Sequence, residues 1–371
     1  MSQPSFLPEP LASLPWRVMG LVSAIGGFGL IVLYSAAGGS LKPWAASQGY
    51  KFIIFFAMAL ALSRVKERRW KDIALPGYAV ILALLLFVEL LGAVSGGSQR
   101  WLDLGFIRLQ PSELMKLFIV LALARFFDML PAGEIRRWNA IWLPGVLIGL
   151  PAALVMLQPD LGTALMIVAG GVTVMFLAGL PLRLFVAAGA AIAAIAPLAY
   201  FFLLRDYQRK RVLIFLDPES DPLGAGYHIT QSKIAIGSGG VFGKGFLNGT
   251  QSHLDYLPEG HTDFVFATMS EEWGLMGGIF IIGAFLVLFR WGMSVAAKAP
   301  TRFGRLAAAG LTSTIFYYFT INLMMVMGMA PVVGIPLPLV SFGGTAMLTV
   351  MICIGMLMSI ERSSQPRTSF S

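Results

Sequence analysis

The composition of this 371-residue chain excludes a soluble globular protein. Hydrophobic residues make up 57% of it and charged residues 12%, and its mean hydropathy is +0.77, whereas soluble domains are about 45–50% apolar and about 25% charged. So few charges cannot cover a water-facing surface, which also excludes a disordered chain and a coiled coil. The composition predicts an all-α polytopic membrane protein.

Apolar runs predict about ten transmembrane helices, because each run is near the roughly 20 residues that cross a bilayer. Together they form one integral membrane domain over residues 1–371. The first run is interpreted as a retained helix and not as a signal peptide, since the segment before it carries no positive charge. The runs span residues 18–37, 46–63, 73–93, 111–127, 140–157, 161–180, 182–204, 264–290, 306–330 and 343–360.

The basic residues of the short connecting segments are divided unevenly between the two sides of the membrane. Sixteen Lys and Arg residues lie on the side of the two termini and four on the other side. Because short loops rich in Lys and Arg stay in the cytoplasm, both termini are predicted to be cytoplasmic. The same rule accounts for the net charge of +8 without a nucleic-acid partner. Residues 205–263 then form one long extracytoplasmic (periplasmic) loop. Long loops are usually functional, so this loop is expected to contain the chemistry.

Two charged residues, Glu113 and Lys116, stand near the start of the fourth apolar run. A lone charge near the bilayer centre costs about 3 kcal/mol or more. Their i, i+3 spacing puts them on one helix face, so they can pair. Two interpretations remain open: an ion pair that only locks helices together, or a pair that also lines a polar cavity.

Two further motifs carry charge on the outer side. Arg100 and Arg108 flank an amphipathic stretch that contains Trp101. This stretch predicts either an interfacial helix or a pair of guanidinium groups that bind phosphate. Asp160 directly precedes the sixth run, so it is either the N-cap of that helix or a direct ligand.

The long loop contains a basic segment and a glycine-rich segment. The basic segment combines four cations with Gln208 and ends at Arg211, which favours either an anionic partner or anchoring to lipid headgroups. The glycine-rich segment, residues 237–245, lacks the spacing of a phosphate-binding P-loop. We interpret it as a flexible turn region, with Lys233 and Lys244 as candidate anion contacts.

Asp263 lies where the long loop meets the eighth run. Burial at this boundary raises the pKa of a carboxyl group toward the range that suits a general base, and an N-cap is the competing interpretation. His261 and Asp263 are too few ligands to predict a metal site. Ser341 belongs to residues 334–344, where two prolines prevent a regular helix. Irregular backbone at membrane depth is expected to line a cavity or to be buried in protein.

Motifs spread over nearly the whole chain point to one family. They are Arg100-Trp101-Leu102, Gln110-Pro111-Ser112-Glu113, Gln158-Pro159-Asp160-Leu161-Gly162, Asp217-Pro218 through Gly245, His261-Thr262-Asp263-Phe264, and Pro336-Leu337-Pro338 through Gly344. In this order they resemble the SEDS family of bacterial shape, elongation, division and sporulation proteins. Residues 217–228 are most similar to the RodA branch of that family and less similar to the FtsW branch.

The resemblance implies an inner-membrane peptidoglycan glycosyltransferase that polymerises lipid II during cell-wall elongation and rod-shape maintenance. It implies that the acceptor 4-hydroxyl attacks the donor's anomeric carbon with inversion, releasing undecaprenyl pyrophosphate. A class B penicillin-binding protein is the implied partner, with no organic cofactor and with room for an assisting Mg²⁺ or Mn²⁺ ion. Asp263 is the candidate catalytic base, and the candidate substrate-binding residues are Arg100, Arg108, Glu113, Lys116, Asp160, Gln208, Arg211, Lys233, His261 and Ser341.

Two alternative functions remain open, a lipid II flippase and a non-catalytic scaffold of the elongation machinery. A flippase needs a similar charged cavity, but it needs access from both faces and no base. A carboxylate base at the outer mouth of the cavity favours the polymerase, and Asp263 is expected at that place.

Overall fold

The computed structural model describes residues 15–91, 93–95, 98–103, 108–135, 137–202, 206–221, 224–254 and 256–364. Most of these residues are helical. The helices are α1 (Trp16–Ala36), α2 (Ala45–Leu62), α3 (Glu67–Leu91), α4 (Pro111–Met129), α5 (Asn139–Leu157), α6 (Leu161–Leu177), α7 (Leu182–Phe202), α8 (Asp206–Leu216), α9 (Ala225–Ser238), α10 (Thr250–His253), α11 (Val265–Lys298), α12 (Arg302–Val326) and α13 (Gly344–Ser364).

The helices confirm the prediction of a polytopic membrane protein. Seven of those described are long and apolar enough to cross a bilayer, namely α1, α2, α3, α5, α11, α12 and α13. Helices α6 and α7 are also apolar, but their apolar segments, Leu161–Leu177 and Leu182–Leu198, are shorter than those of the other seven. Helix α4 carries four charged side chains along 19 residues. These ten helices coincide with the ten apolar runs.

Helix α4 forms the centre of the bundle. It packs against α3, α6 and α12, and its apolar side chains Met115, Leu117 and Ile119 are fully buried. A Cβ atom at Gly310 of α12 would lie 2.5 Å from Val120 Cγ1, so glycine allows α12 to approach α4 closely. The polar residues in the first two turns of α4 are therefore buried in protein and do not face lipid.

The described residues between α3 and α4 form a small antiparallel sheet, so the interpretation as an interfacial helix is wrong. Its strands are β1 (Ala93–Ser95), β2 (Ser98–Asp103) and β3 (Arg108–Leu109), in the order β1-β2-β3. Ser95 is opposite Ser98 in the pairing of β1 with β2. Pairing with a strand on each side gives the β2 backbone its hydrogen-bond partners, and this outweighs the amphipathic pattern.

The glycine-rich segment is fixed against a break in α11, which corrects its interpretation as a flexible turn. Gly274 interrupts α11 with φ 61° and ψ −153°. The Leu275 amide donates to the Gly240 carbonyl at 3.0 Å, and the Lys244 amide donates to the Glu271 carbonyl at 3.0 Å. Lys244 Nζ also lies 2.6 Å from the Glu271 carboxylate, which is fully buried. The lysine therefore has a structural partner, and backbone groups freed by the break are satisfied by protein.

The orientation of the bundle can be tested by cysteine labelling. In a Cys353→Ser background, Phe242→Cys is expected to react with a membrane-impermeant maleimide added to intact cells with a permeabilised outer membrane. Trp138→Cys is the matched control, because Phe242 and Trp138 are 79% and 71% exposed and the two are predicted on opposite sides. It is expected to react only after lysis. The reverse pattern would contradict cytoplasmic termini.

Candidate active site

A cavity of about 240 Å³ brings together residues from five stretches of the chain. Its wall is formed by β2, by the starts of α4, α6 and α13, and by the segments that precede α11 and α13. Four of the predicted site residues line it: Arg100, Glu113, Asp160 and Asp263. Residues far apart in sequence therefore share one polar space.

The N-termini of four helices converge on this cavity. Glu113 and Thr163 lie in the first turns of α4 and α6, Asp263 lies just before α11, and Thr345 lies in the first turn of α13. Pro111 is the first residue of α4, where its missing amide costs nothing. Each N-terminus carries partial positive charge, which offsets part of the charge of the three carboxylates in the wall and can stabilise a phosphate group.

Asp263 has the electrostatic surroundings of a general base. The pKa of its carboxyl group is raised from 3.8 to about 6, chiefly by burial and secondly by the nearby Glu259 carboxylate, while Arg211 opposes the shift. A Cβ atom at Gly334 would lie 3.4 Å from Asp263 Oδ2, and the φ of +71° at Gly334 disfavours any side chain there. Glycine thus keeps the approach to this carboxylate clear. The group is ionised near pH 7 but more basic than an exposed aspartate.

The alternative role of Asp263 as the N-cap of α11 is wrong. Phe264 occupies that position and makes no side-chain capping bond. The Asp263 backbone is held separately, since its carbonyl accepts a hydrogen bond of 2.8 Å from Asn322 Nδ2 of α12. The backbone is anchored while the carboxylate lines the cavity, so the residue is positioned for a role other than ending a helix.

Asp160 is both an N-cap and part of the cavity wall. Asp160 Oδ1 accepts a hydrogen bond of 3.1 Å from the Thr163 amide, which caps α6. Asp160 Oδ2 accepts a hydrogen bond of 3.2 Å from Gln110 Nε2. Both of the interpretations left open by the sequence are thus compatible with the geometry.

Arg100 is held against the turn before α6. Its Nε donates to the Gln158 carbonyl at 2.9 Å, and its Nη2 donates to the Pro159 carbonyl. Arg100 Nη1 lies 4.0 Å from Asp160 Oδ2, and the side chain remains 26% exposed. The guanidinium is therefore preoriented, with part of its surface available to the cavity.

Glu113 and Lys116 form a buried ion pair, which confirms the predicted pairing. Lys116 Nζ lies 2.6 Å from Glu113 Oε1 and 2.6 Å from the hydroxyl oxygen of Tyr318 in α12. The Tyr318 hydroxyl donates to Glu113 Oε2. Glu113 reaches the cavity, whereas Lys116 is 1% exposed and lies behind it. The triad closes the cavity on its inner side.

His261 and Ser341 join neighbouring segments of the wall. The His261 ring stacks on Trp44, with centroids 4.0 Å apart, and burial lowers the pKa of His261, opposed by Glu259. Ser341 Oγ donates to the Thr262 carbonyl at 2.6 Å and accepts from the Leu337 amide at 2.8 Å. These contacts fix the loop around Asp263, and their role in substrate binding remains a prediction.

The remaining predicted residues lie outside the cavity wall as described. Gln208 is buried in α8, and Arg211 of the same helix acts electrostatically on Asp263. Lys233 is exposed on α9, and a Cβ atom at Gly328 would lie 2.3 Å from its Cε. The side chain of Arg108 falls outside the described residues. Their substrate contacts remain predictions.

Sequence reasoning missed three contributors to the site. Tyr318 and Asn322 lie one turn apart on α12, and both are buried. The signal available in the sequence was a phenol and an amide side chain within one apolar run. Lys51 lies within α2, with its Nζ 4.6 Å from the centroid of the Phe342 ring beside the cavity. Its position inside an apolar run was the signal for a functional cation.

The described residues contain no group of three or more His, Cys, Asp or Glu side chains arranged to hold a metal ion. Asp263 and Glu259 are two carboxylates close enough to interact electrostatically. A divalent cation would therefore need further oxygen ligands from the substrate, as is usual for Mg²⁺ at phosphate groups.

Comparison with known proteins assigns the family. Residues 15–366 match the model of FtsW, RodA and SpoVE proteins, described as "Cell cycle protein". This chain belongs to the FtsW/RodA/SpoVE family. The peptidoglycan glycosyltransferase MrdB of Escherichia coli K12 is 45% identical over 336 residues, covering 90% of each chain. The peptidoglycan glycosyltransferase RodA of Treponema pallidum is 32% identical, covering 91% of this chain and 95% of its own.

Solved structures of the FtsW/RodA/SpoVE family share the fold. One belongs to a peptidoglycan synthase complex that coordinates polymerization and crosslinking; it has a TM-score of 0.81 and 34% identity, covering 95% of this chain and 99% of its own. The rod shape determining protein RodA of Thermus thermophilus has a TM-score of 0.72 and 28% identity, covering 97% and 99%. The resemblance seen in the sequence motifs is thus confirmed over almost the whole chain.

Proposed function

We propose that this protein is a peptidoglycan glycosyltransferase that polymerises lipid II, with Asp263 as its general base. The observation that carries the proposal is a carboxylate with a pKa of about 6 at a cavity where four helix N-termini converge. The first feature suits proton removal from a hydroxyl group. The second suits an anionic leaving group. Two relatives named peptidoglycan glycosyltransferases, at 45% and 32% identity, support the same reaction class.

In the proposed reaction the acceptor sugar's 4-hydroxyl oxygen attacks the anomeric carbon of the donor. Asp263 takes the hydroxyl proton as the new glycosidic bond forms. The bond between the anomeric carbon and the pyrophosphate oxygen breaks on the opposite face, so the configuration inverts. Its electron pair leaves with undecaprenyl pyrophosphate. The helix N-termini together with Arg100, Lys51 and Arg211 supply positive potential for this developing charge.

The proposal includes a Mg²⁺ or Mn²⁺ ion held between a cavity carboxylate and the pyrophosphate, and no organic cofactor. Such an ion would neutralise charge on the leaving group. The proposal also places the protein in the bacterial inner membrane with both termini cytoplasmic. A class B penicillin-binding protein is the proposed partner, which agrees with the coordinated polymerization and crosslinking of the structurally similar synthase complex.

Purified lipid II is the decisive substrate. The purified protein with its transpeptidase partner is expected to convert it into glycan strands, visible on gels after the partner's crosslinking is blocked by penicillin. Heat-treated protein is the control. A flippase would instead move lipid II across vesicle membranes without making polymer, and a scaffold would do neither. The buried triad that closes the cavity favours the polymerase, because Lys116 is 1% exposed.

The pH dependence of the reaction follows from the surroundings of Asp263. Its raised pKa of about 6 means that the base is protonated and inactive below that pH and available above it. The second-order rate constant for lipid II is expected to rise with pH to a plateau, with an apparent pKa near 6. Glu259→Gln removes a repulsive charge and is expected to shift the curve to lower pH, whereas Arg211→Gln is expected to shift it to higher pH. A flat profile, or equal curves for the variants, would contradict the assignment.

A further inference from the structure

A second cavity lies at the opposite end of α11 from the candidate active site. Its volume is about 650 Å³, and it opens between the first turn of α1 and the last turns of α11 and α13. Asp263 directly precedes the start of α11, whereas Lys298 at its last residue lines this second cavity. The cavity is therefore on the face that the loop charges predict to be cytoplasmic.

The lining of this cavity is strongly basic. Four cations, Arg17, Arg290, Lys298 and Arg362, surround it with Glu361 as the one carboxylate among its described lining residues. Glu361 is oriented by a hydrogen bond of 3.1 Å from Trp291 Nε1. No described carboxylate lies within 4.0 Å of a charged nitrogen of these four residues. The four cations thus face one space without a described carboxylate partner at ion-pair distance, and Glu361 interacts with Lys298 only at longer range.

The rest of the lining is apolar and continues onto the surface that faces lipid. Leu21, Val287 and Met358 form part of the wall, and Val287 is 56% exposed on α11. Trp16 at the start of α1 also lines the cavity and is 48% exposed. A tryptophan at a helix end is typical of the depth of lipid headgroups. The cavity therefore offers a charged rim to a headgroup and an apolar wall to an acyl chain.

We propose that this cavity binds an anionic phospholipid of the cytoplasmic leaflet, with the phosphate held by Arg17, Arg290, Lys298 and Arg362. Guanidinium groups match phosphate oxygens in geometry as well as charge. Basic cavities between helices on the cytoplasmic side are suited to such headgroups. If these four cations served only to orient the protein in the membrane, they would not need to surround a cavity with an oriented Glu361 and an adjoining apolar wall.

Lipid titration of the full-length protein in detergent tests this site. Native mass spectrometry is expected to detect one tightly bound dioleoyl phosphatidylglycerol and no comparable binding of dioleoyl phosphatidylethanolamine. Arg17→Gln/Arg290→Gln is expected to weaken phosphatidylglycerol binding about 25-fold, since each cation near the surface contributes about a fivefold change in affinity. Arg17→Lys/Arg290→Lys preserves the charge but not the guanidinium geometry, so it is expected to weaken binding less than the Gln pair does.

The control variant Arg69→Gln/Arg305→Gln removes two exposed cations of the same face outside this cavity. It is expected to bind phosphatidylglycerol like the wild type. Equal weakening by both Gln pairs would mean a diffuse surface charge and overturn the site. Displacement of the lipid by millimolar inorganic phosphate would indicate a soluble phosphate ligand and overturn the assignment to a lipid. Melting temperatures measured without added lipid verify that every variant is folded.

Discussion

Replacing Asp263 with Asn is expected to abolish nearly all glycan synthesis while the protein still folds. Asn keeps the size and the hydrogen-bonding capacity of the side chain but cannot accept the hydroxyl proton. General-base catalysis contributes about 10²- to 10⁴-fold, so the turnover rate is expected to fall by that factor. The measurement is glycan strand formation from lipid II by the purified variant with its partner.

The stability of this variant separates a catalytic role from a structural one. Because burial raises the pKa of Asp263 to about 6, its ionised form destabilises the folded state near neutral pH. Asp263→Asn is therefore expected to melt at the same temperature as the wild type or higher. The exposed Asp217 of the same loop offers a matched control, and Asp217→Asn is expected to retain activity. Near-normal polymerisation by Asp263→Asn would remove this residue from the mechanism and revive the flippase.

Removing one partner of the Glu113–Lys116 pair is expected to lower the free energy of unfolding more than any other substitution discussed. Lys116→Met leaves a carboxylate, and Glu113→Gln leaves an ammonium group, in a space where Lys116 is 1% exposed. Breaking a buried pair in this way costs about 3–5 kcal/mol. The melting temperature in detergent measures the loss, and both single variants are expected to show it.

Two further variants make this test specific. The double variant Glu113→Gln/Lys116→Met buries no net charge and is expected to recover most of the stability. The pair Glu134–Arg137 has the same i, i+3 spacing, but the Arg137 side chain is 70% exposed. Arg137→Gln is therefore expected to cost no more than about 1 kcal/mol. If Lys116→Met melted like Arg137→Gln, the buried pair would contribute nothing to stability.

The sequence by itself determined the membrane class and the positions of the helices. Apolar runs record which residues can face lipid, and the bilayer fixes the length of each run, so these properties are local. The i, i+3 spacing of Glu113 and Lys116 likewise required no tertiary information. Asp263 could be singled out because a carboxylate at the end of a polar loop, next to an apolar run, has few structural explanations.

Only the tertiary structure decided which of these residues meet. The third member of the buried triad, Tyr318, lies 205 positions from Glu113, and no local pattern encodes a contact at that separation. The break at Gly274 could not be predicted either, because the backbone groups that satisfy it belong to the glycine-rich segment that precedes α11. Periodicity describes how one helix meets its surroundings, whereas a site built from four helix N-termini depends on how separate helices pack together.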